Sequence, residues 1–387
     1  MAKQQKNIKR FIFDRLVDRE NICGLEKQRS QINKLVKQRQ NIVLYAKRNY
    51  GKTSLVKNVI MDDFRQKYKK PFIFFVDLMG VKDIDSIKFR LKSGLENSIK
   101  EAFPIKNFAN MIGDFLSNLK LSVSFESSEF SPTISLESLE YVDSEATIEE
   151  IFVSLDNISA KFPTLIVLDE FQDISLIDEA ESLFRNAFQQ MESVPIIILG
   201  SKKHMLRDIF AMPSSPLANF GHDVGIEEIE YSKYHKYIAE RFTQKKLKIT
   251  ESNAQFLQNI MQRQPEAINL LCFEIYQGNQ GKTIDKQIIL RALDQLLDQR
   301  NKRFEVMLYS FSKAEEKILI AIAKNDWITK PQSKDFSAQV DLTPRAIKMN
   351  IDKLIDKAML EIEDGSIADA RYSLSDPLLK LYLQRFR

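Results

Sequence analysis

Short apolar runs separated by stretches of helical spacing organise the first two thirds of the chain. Leu25 to Gln38 places Leu25, Ile32 and Leu35 on one side and reads as an amphipathic helix. Asn41 to Tyr45 is a short apolar strand that runs into a turn, and helical spacing resumes over Lys52 to Tyr68. Pro71 to Leu78 (PFIFFVDL) is a second buried strand, followed by a helix over residues 83–102. The period then changes. Leu119, Leu121, Val123 and Phe125 alternate with polar residues, as do Ile134 and Leu136, which predicts a β-hairpin at 119–137. A helix near Thr147–Ala160 leads to the strand Leu165–Leu168, and a helix over Asp178–Met191 leads to the strand Pro195–Leu199. A last short strand is expected near Val224–Ile229. Strands that alternate with helices, several of them apolar throughout, predict a parallel sheet covered on both faces.

From Tyr231 to Arg303 the spacing is helical only. The C-terminal stretch has a pattern of its own, with helices over Lys313–Lys324 and Thr343–Ala358, Pro344 in the first turn of the latter, and a hairpin turning at Asp364-Gly365. Three helices followed by a two-stranded wing is the order of a winged-helix module. The expected division is an α/β core over 1–230, a helical segment over 231–303 and a winged helix over 304–387.

Composition supports a multidomain globular chain. Its 387 residues exceed the usual size of one domain, and 44% apolar with 28% charged residues excludes disorder as the general state. Glycine is scarce, at 11 residues, which leans the chain toward helix. No apolar run approaches the ~18 residues of a membrane span, and no apolar block follows the basic N-terminus as a signal peptide requires. A soluble, cytoplasmic protein with no membrane partner is expected. Cys23 and Cys272 make neither a disulfide framework nor a metal spacing. The net charge of +4 conceals an asymmetry. Residues 1–70 carry 19 Lys and Arg against 6 Asp and Glu, whereas residues 107–185 carry 3 against 16. Two solvated faces of opposite sign give this pattern, and so do fields that attract each other within one chain or between copies of it.

Three segments carry candidate chemistry. The first is YAKRNYGKTS, comprising Tyr45 and the loop residues Ala46, Lys47, Arg48, Asn49, Tyr50, Gly51, Lys52, Thr53 and Ser54, between a strand and a helix. Such a loop wraps phosphate oxygens with backbone N–H groups, aided by the helix N-terminus. Lys52 is expected to reach the β- and γ-phosphates and Thr53 to ligate Mg²⁺. Ala46 stands where the GxxxxGK[ST] pattern has its first glycine. It costs about 1 kcal/mol if that position needs a positive φ, and little otherwise. The second segment is TLIVLDEFQD, which sets Asp169 at the carboxyl end of a buried strand, where open α/β sheets bind ligands. Asp169 is expected in the Mg²⁺ shell, and Glu170 as the group that orients and polarises the attacking water. The third is PIIILGSKKHML, in which Ser201 either senses the γ-phosphate or caps the next helix. Arg185 and Arg207 are arginine-finger candidates. His204, His222 and His235 lack metal spacing.

With these residues in place the chain resembles the prokaryotic, archaeal-type ATPases of the STAND branch of AAA+ P-loop NTPases, distant relatives of the origin-recognition ATPases. The resemblance rests on GKTSL, LDEFQ and GSKKHML followed by Ser215-Pro216, and it covers nearly the whole chain. NICGLEKQ (21–28) is similar to a glycine-arginine-glutamate box near the adenine, with Gly24 and Glu26 matching and Leu25 in place of the arginine. RQPEAINLLC (263–272) is similar to a glycine-x-proline lid box, with Pro265 matching and Arg263 at the glycine position. RYSLSDPLLKLYL (371–383) is similar to the wing strand and aspartate-proline tail. The resemblance implies an AAA+-like core of five strands, a helical lid, a winged helix, ATP or ADP with Mg²⁺, and rearrangement with nucleotide state. It also implies nucleotide contacts near Gly24 and Pro265.

Two readings of function stay open on the sequence. One is an ATP-driven switch that hydrolyses slowly and works with a protein partner or by self-association. The alternative is an ATP-regulated DNA-binding protein. For the latter, Arg345, Lys348, Lys353 and Lys357 lie on the third winged-helix helix, but Asp352 and Asp356 stand among them. A non-hydrolysing scaffold, suggested by Ala46 and the altered lid box, is opposed by the presence of Lys52, Thr53, Asp169 and Glu170.

Overall fold

The computed structural model describes residues 9–102, 144–191, 193–201, 203–363 and 370–387. The hairpin expected at 119–137 lies outside them. The chain divides into two compact units, Leu16–Glu227 and Glu228–Arg387, with the described residues up to Arg15 joining the second.

In the first unit, α1 (Glu26–Lys37), β1 (Ile42–Tyr45), α2 (52–67), β2 (Phe72–Asp77), α3 (Ile84–Ala102), α4 (Ser144–Ser159), β3 (Thr164–Asp169), α5 (Ala180–Gln189), β4 (Ile196–Gly200), α6 (Lys203–Ala211) and β5 (His222–Gly225) follow in order. Helix α2 includes one wide π segment, Val56–Ile60, between Lys52–Leu55 and Met61–Lys67. The strands form one sheet of order β2-β3-β4-β1-β5 in which every pair is parallel.

A parallel sheet buries both faces, so its central strands need side chains that are apolar in both directions. Strands β3 and β4 meet that demand. Ile166, Leu168, Ile196 and Ile198 pack into the cluster under α3, α4 and α5, with Phe74, Leu91, Phe152 and Phe184. Leu165, Val167, Ile197 and Leu199 pack into the opposite cluster under α1 and α2, with Ile32, Val56 and Ile60. The β1–β4 register pairs Tyr45 with Gly200, and the β2–β3 register pairs Asp77 with Asp169. The carboxyl ends of β1, β3 and β4 are thereby brought level along one edge of the sheet. β5 is displaced toward the N-terminus relative to the expected 224–229. It is an edge strand whose His222 and Asp223 are exposed, so only Val224 carries the apolar signal.

The second unit contains α7 (Tyr231–Phe242), β6 (Lys248–Ile249), α8 (Glu251–Ile260), α9 (Pro265–Gly278), β7 (Thr283–Ile284) and α10 (Lys286–Tyr309). The expectation of helix alone over 231–303 is corrected by β6 and β7, a parallel pair of two residues each, too short to show an alternating period. Residues 9–13, expected with the α/β core, pack here. Phe11 meets the rings of Tyr237, Phe242 and Tyr276. Arg241, 1% exposed, donates from Nε to the Arg10 carbonyl at 3.0 Å, and Asn269 Nδ2 donates to the Ile12 carbonyl at 2.8 Å. The apolar Phe11-Ile12-Phe13 triplet inside a basic leader accounts for the docking.

The winged-helix segment follows with α11 (Lys313–Lys324), α12 (Lys334–Val340), α13 (Pro344–Asp356), β8 (Leu360–Glu363), β9 (Arg371–Leu374) and α14 (Pro377–Phe386). Ser312 and Glu315 form a reciprocal capping box on α11, and Thr343 caps α13 ahead of Pro344. β8 and β9 pair antiparallel, and the turn expected at Asp364-Gly365 lies outside the described residues. No described helix is long and apolar enough to cross a membrane.

Candidate nucleotide-binding site

The loop after β1 turns sharply and enters α2 through backbone that few residues adopt. Asn49 (φ 64°) and Gly51 (φ 83°) are left-handed, a conformation that glycine and asparagine tolerate best. Ala46 is not among the positive-φ residues. Its methyl group is buried with Tyr50 and Leu55 in the apolar cluster beneath α2. The loop therefore has no need of glycine at its first position. Lys52, 5% exposed, opens α2 directly after Gly51, with Thr53 half-buried beside it. Lys47 is half-buried, and Arg48 and Asn49 are exposed.

Ser54 turns away to a different task. Its hydroxyl accepts the Val17 N–H at 3.0 Å, and Asn58 Nδ2 donates to the Val17 carbonyl at 3.0 Å. Three side chains then converge on Asp63 of α2: Arg19 at 2.7 Å, Arg29 at 2.8 Å and Asn33 at 2.7 Å. This lays the segment before α1 along the helix that starts at the loop. Gly24 sits in that segment with φ 71°, and Leu25 is buried in the same cluster as Ala46 and Tyr50. A leucine at this position serves packing.

At the end of β3, Asp169 is 3% exposed. Its Oδ2 accepts the Thr53 hydroxyl at 2.8 Å and its Oδ1 accepts the Glu170 N–H at 2.9 Å. Burial pushes its pKa above the ordinary aspartate value, and the neighbouring Glu170 charge adds to this. The Thr53 hydrogen bond and the Lys52 ammonium oppose the rise without cancelling it. Its ionised form is thus short of positive charge. A hydroxyl and a carboxylate side by side are hard oxygen donors, the set that Mg²⁺ accepts.

Glu170 is itself left-handed, at φ 50°, which for a non-glycine residue stores of order 1 kcal/mol. Its Oε2 accepts two hydrogen bonds, from Gln172 Nε2 at 2.6 Å and from the Ser201 hydroxyl at 2.9 Å. Ser201 follows β4, so the second and third sequence motifs meet through their side chains. Arg185 donates to the Pro216 carbonyl, and Arg207 is exposed on α6.

Comparison with solved structures places this geometry in a known architecture. The chain is similar to the Walker-type ATPase PABY2304 of Pyrococcus abyssi, at 16% identity and TM-score 0.62 over 97% of this chain and 99% of that one. It is also similar to the Aeropyrum pernix ORC2 protein in its ADPNP–ADP complexes, at 12% identity and TM-score 0.52 over 95% and 96%. The Aeropyrum pernix ORC1 protein in complex with DNA matches at 10% identity and TM-score 0.50 over 97% and 95%. A family model described as "Probable winged helix domain" matches residues 302–385. The fold is that of the AAA+ ATPases, joined to a C-terminal winged helix. No curated protein sequence matches the chain.

On this AAA+ fold, the loop residues 46–54 and Asp169, Glu170 and Ser201 gather at the carboxyl edge of the sheet. Pro265 belongs to the other unit, where it is the first residue of α9 and its carbonyl accepts the Tyr234 hydroxyl at 3.2 Å. Arg263, at the expected glycine position, is left-handed with φ 56°. Its guanidinium pairs with Glu228 at 2.7 Å, donates to the Ile229 carbonyl and lies over the Tyr231 ring. Sequence reasoning missed Gln172. The signal was a polar residue two positions after the acidic pair, in a 3₁₀ turn (Phe171–Leu176) whose neighbours Phe171 and Ile174 are buried.

Proposed function

We propose that this chain binds ATP with Mg²⁺ and hydrolyses it slowly as a nucleotide-dependent switch, as a member of the archaeal-type STAND branch of AAA+ ATPases. The observation that carries the reading is the Thr53–Asp169 hydrogen bond of 2.8 Å, which sets a hydroxyl of the phosphate-loop helix against a buried carboxylate at the sheet edge. Residues 46–51 present backbone N–H groups to the β- and γ-phosphates, and Lys52 balances their charge. Thr53 and Asp169 are the residues that would hold Mg²⁺, which when bound would offset charge on the phosphate oxygens.

Glu170 orients the attacking water. The water oxygen bonds to the γ-phosphorus as the bond from phosphorus to the ADP oxygen breaks, and the water proton leaves toward the carboxylate. Oε2 of Glu170 accepts from Gln172 and Ser201, which leaves Oε1 for the water. Ser201 senses the γ-phosphate by donating its hydroxyl hydrogen bond to an oxygen that ATP has and ADP lacks. A difference in binding free energy between the two nucleotides is what a switch requires.

The partner is read as protein, or a second copy of the chain. The exposed face of α13 mixes Arg345, Lys348 and Lys353 with Asp352 and Asp356, and Lys357 is paired with Glu315 at 2.6 Å. That leaves little uncompensated positive charge for a phosphate backbone. Steady-state Mg²⁺-ATP turnover, alone and with duplex DNA, tests both parts. Slow turnover indifferent to DNA supports the switch, DNA-stimulated turnover moves the assignment to a DNA-coupled ATPase, and absence of ATP binding removes the nucleotide reading.

A further inference from the structure

Gln172 is 2% exposed, and all its polar atoms are engaged. The amide nitrogen donates to Glu170 Oε2 at 2.6 Å and to Asp173 Oδ1 at 3.3 Å. The amide oxygen accepts the Ser201 N–H at 3.3 Å. The orientation of the amide is fixed by chemistry, since two carboxylates require the NH₂ group and a backbone N–H requires the oxygen. Gly200 makes room for it, because a Cβ there would lie 2.3 Å from Gln172 Oε1. One side chain thus bridges the end of β3 to the end of β4.

The bridge matters because of a proton count. The Ser201 hydroxyl has one hydrogen, and it is given to Glu170 Oε2. A γ-phosphate oxygen that takes this hydrogen leaves Glu170 with the Gln172 amide as its remaining donor. We propose that Gln172 is a positioning residue for Glu170: it holds the carboxylate in its water-orienting place when Ser201 turns to the γ-phosphate. The inference rests on the ATPase reading of the same site. It adds that the amide, rather than the serine, is the constant partner of Glu170.

The test is a double-mutant cycle in the full chain, read by single-turnover hydrolysis and by KM for ATP. Gln172→Met keeps the length of the side chain and removes both hydrogen-bonding functions. Gln172→Glu keeps the acceptor for the Ser201 N–H and replaces the donor with an oxygen that repels Glu170, so it serves if the methionine variant fails to fold. The expected result is a loss of about tenfold or more in the hydrolytic rate, with KM changed less than about threefold. In a Glu170→Gln background the same change should cost less than about twofold, since the residue acts through Glu170. An equal loss in both backgrounds, a rise in KM at unchanged rate, or no loss at all overturns the inference and leaves the ATPase reading in place. A wild-type chain that neither binds nor hydrolyses ATP overturns both.

Discussion

Thr53 Oγ1 donates to Asp169 Oδ2 at 2.8 Å, so a hydrogen bond joins the first turn of α2 to the last residue of β3, whose carboxylate is almost closed to water. The consequence is electrostatic. Burial makes the charged form of Asp169 expensive, its charged neighbour Glu170 adds to that, and the hydroxyl and the Lys52 ammonium only partly compensate. A cation bound beside Asp169 would offset that cost.

The raised Asp169 pKa fixes the sign of a stability prediction. A folded-state pKa above the unfolded value means that the folded chain holds this proton more tightly. Its stabilisation is therefore complete in acid below the unfolded value and is lost as pH rises through the folded value. Asp169→Asn removes that loss, and the Thr53 hydroxyl can turn to accept from the new amide. In chelator at neutral pH the variant should melt above wild type, with the gap closing in acid, while Mg²⁺-dependent ATP affinity falls. A variant melting below wild type at neutral pH would show that Asp169 is stabilised by contacts that its burial and partners do not explain.

Lys52 and Glu170 should separate binding from chemistry. Lys52→Ala removes the buried ammonium at the start of α2 and is expected to weaken ATP binding by about 10²-fold or more, measured by equilibrium titration. Glu170→Gln keeps an oxygen to accept from Gln172 and Ser201, so binding should stay within about threefold while turnover falls about 10²-fold. Unchanged affinity in the first variant means that the phosphate loop is misassigned, and unchanged turnover in the second means the same for the water-orienting carboxylate.

Gly200→Ala probes the space behind that carboxylate. The added Cβ would meet Gln172 Oε1 at 2.3 Å and Leu206 Cδ1 at 2.7 Å. The leucine end can shift, but the amide is held by two carboxylates, so overpacking of about 1–3 kcal/mol is expected. Turnover should fall with the loss of Glu170 placement while ATP binding changes little. Thermal melting and turnover measured side by side check this, and wild-type values for both would mean that the amide has room the packing does not reveal.

What could be read from the sequence follows burial. Strands β3 and β4 were legible because every residue of Leu165–Leu168 and Ile196–Leu199 must be apolar to serve two faces. β5 was displaced because an edge strand needs only one buried residue, Val224, and the β6–β7 pair was invisible at two residues per strand. The docking of residues 9–13 was hidden by charge, with Lys9 and Arg10 masking the apolar triplet behind them. In the site, motif spacing pointed to the charged residues, whereas the role of Ala46 depended on a φ angle and that of Gln172 on a 3₁₀ turn. Neither is encoded by residue type alone.

Phe11 tests the docked N-terminal segment. Its buried ring contacts Tyr237, Phe242 and Tyr276, and truncation of a buried phenylalanine costs about 3–5 kcal/mol. Phe11→Ala should therefore speed amide exchange through α7 and α9 and leave the sheet of the first unit unchanged. Exchange unaltered in α7 would mean that the segment contributes nothing to the unit it packs with.

Glu315 gives the winged helix an acid limit. Burial opposes its charge, but hydrogen bonds from the Lys357 ammonium and from Ser312 outweigh that cost and hold its pKa below the ordinary glutamate value. For a carboxylate depressed in the folded state, the stabilisation is present above the unfolded value and is lost as pH falls through the folded one. The same carboxylate closes the capping box, accepting the Ser312 N–H at 2.8 Å while Ser312 Oγ accepts the Glu315 N–H at 3.2 Å. Protonation therefore weakens the cap and the Lys357 pair together. Amide exchange over Lys313–Lys324 should accelerate as the pH falls below the glutamate range, beyond what the pH dependence of intrinsic exchange accounts for. Glu315→Gln keeps an oxygen for the Ser312 N–H and loses the charge, so it should abolish that extra acid sensitivity at a cost of about 1 kcal/mol at neutral pH. An acid response that persists in the glutamine variant would assign the sensitivity to another carboxylate, with Asp326, also depressed by a lysine hydrogen bond from Lys380, the next to replace.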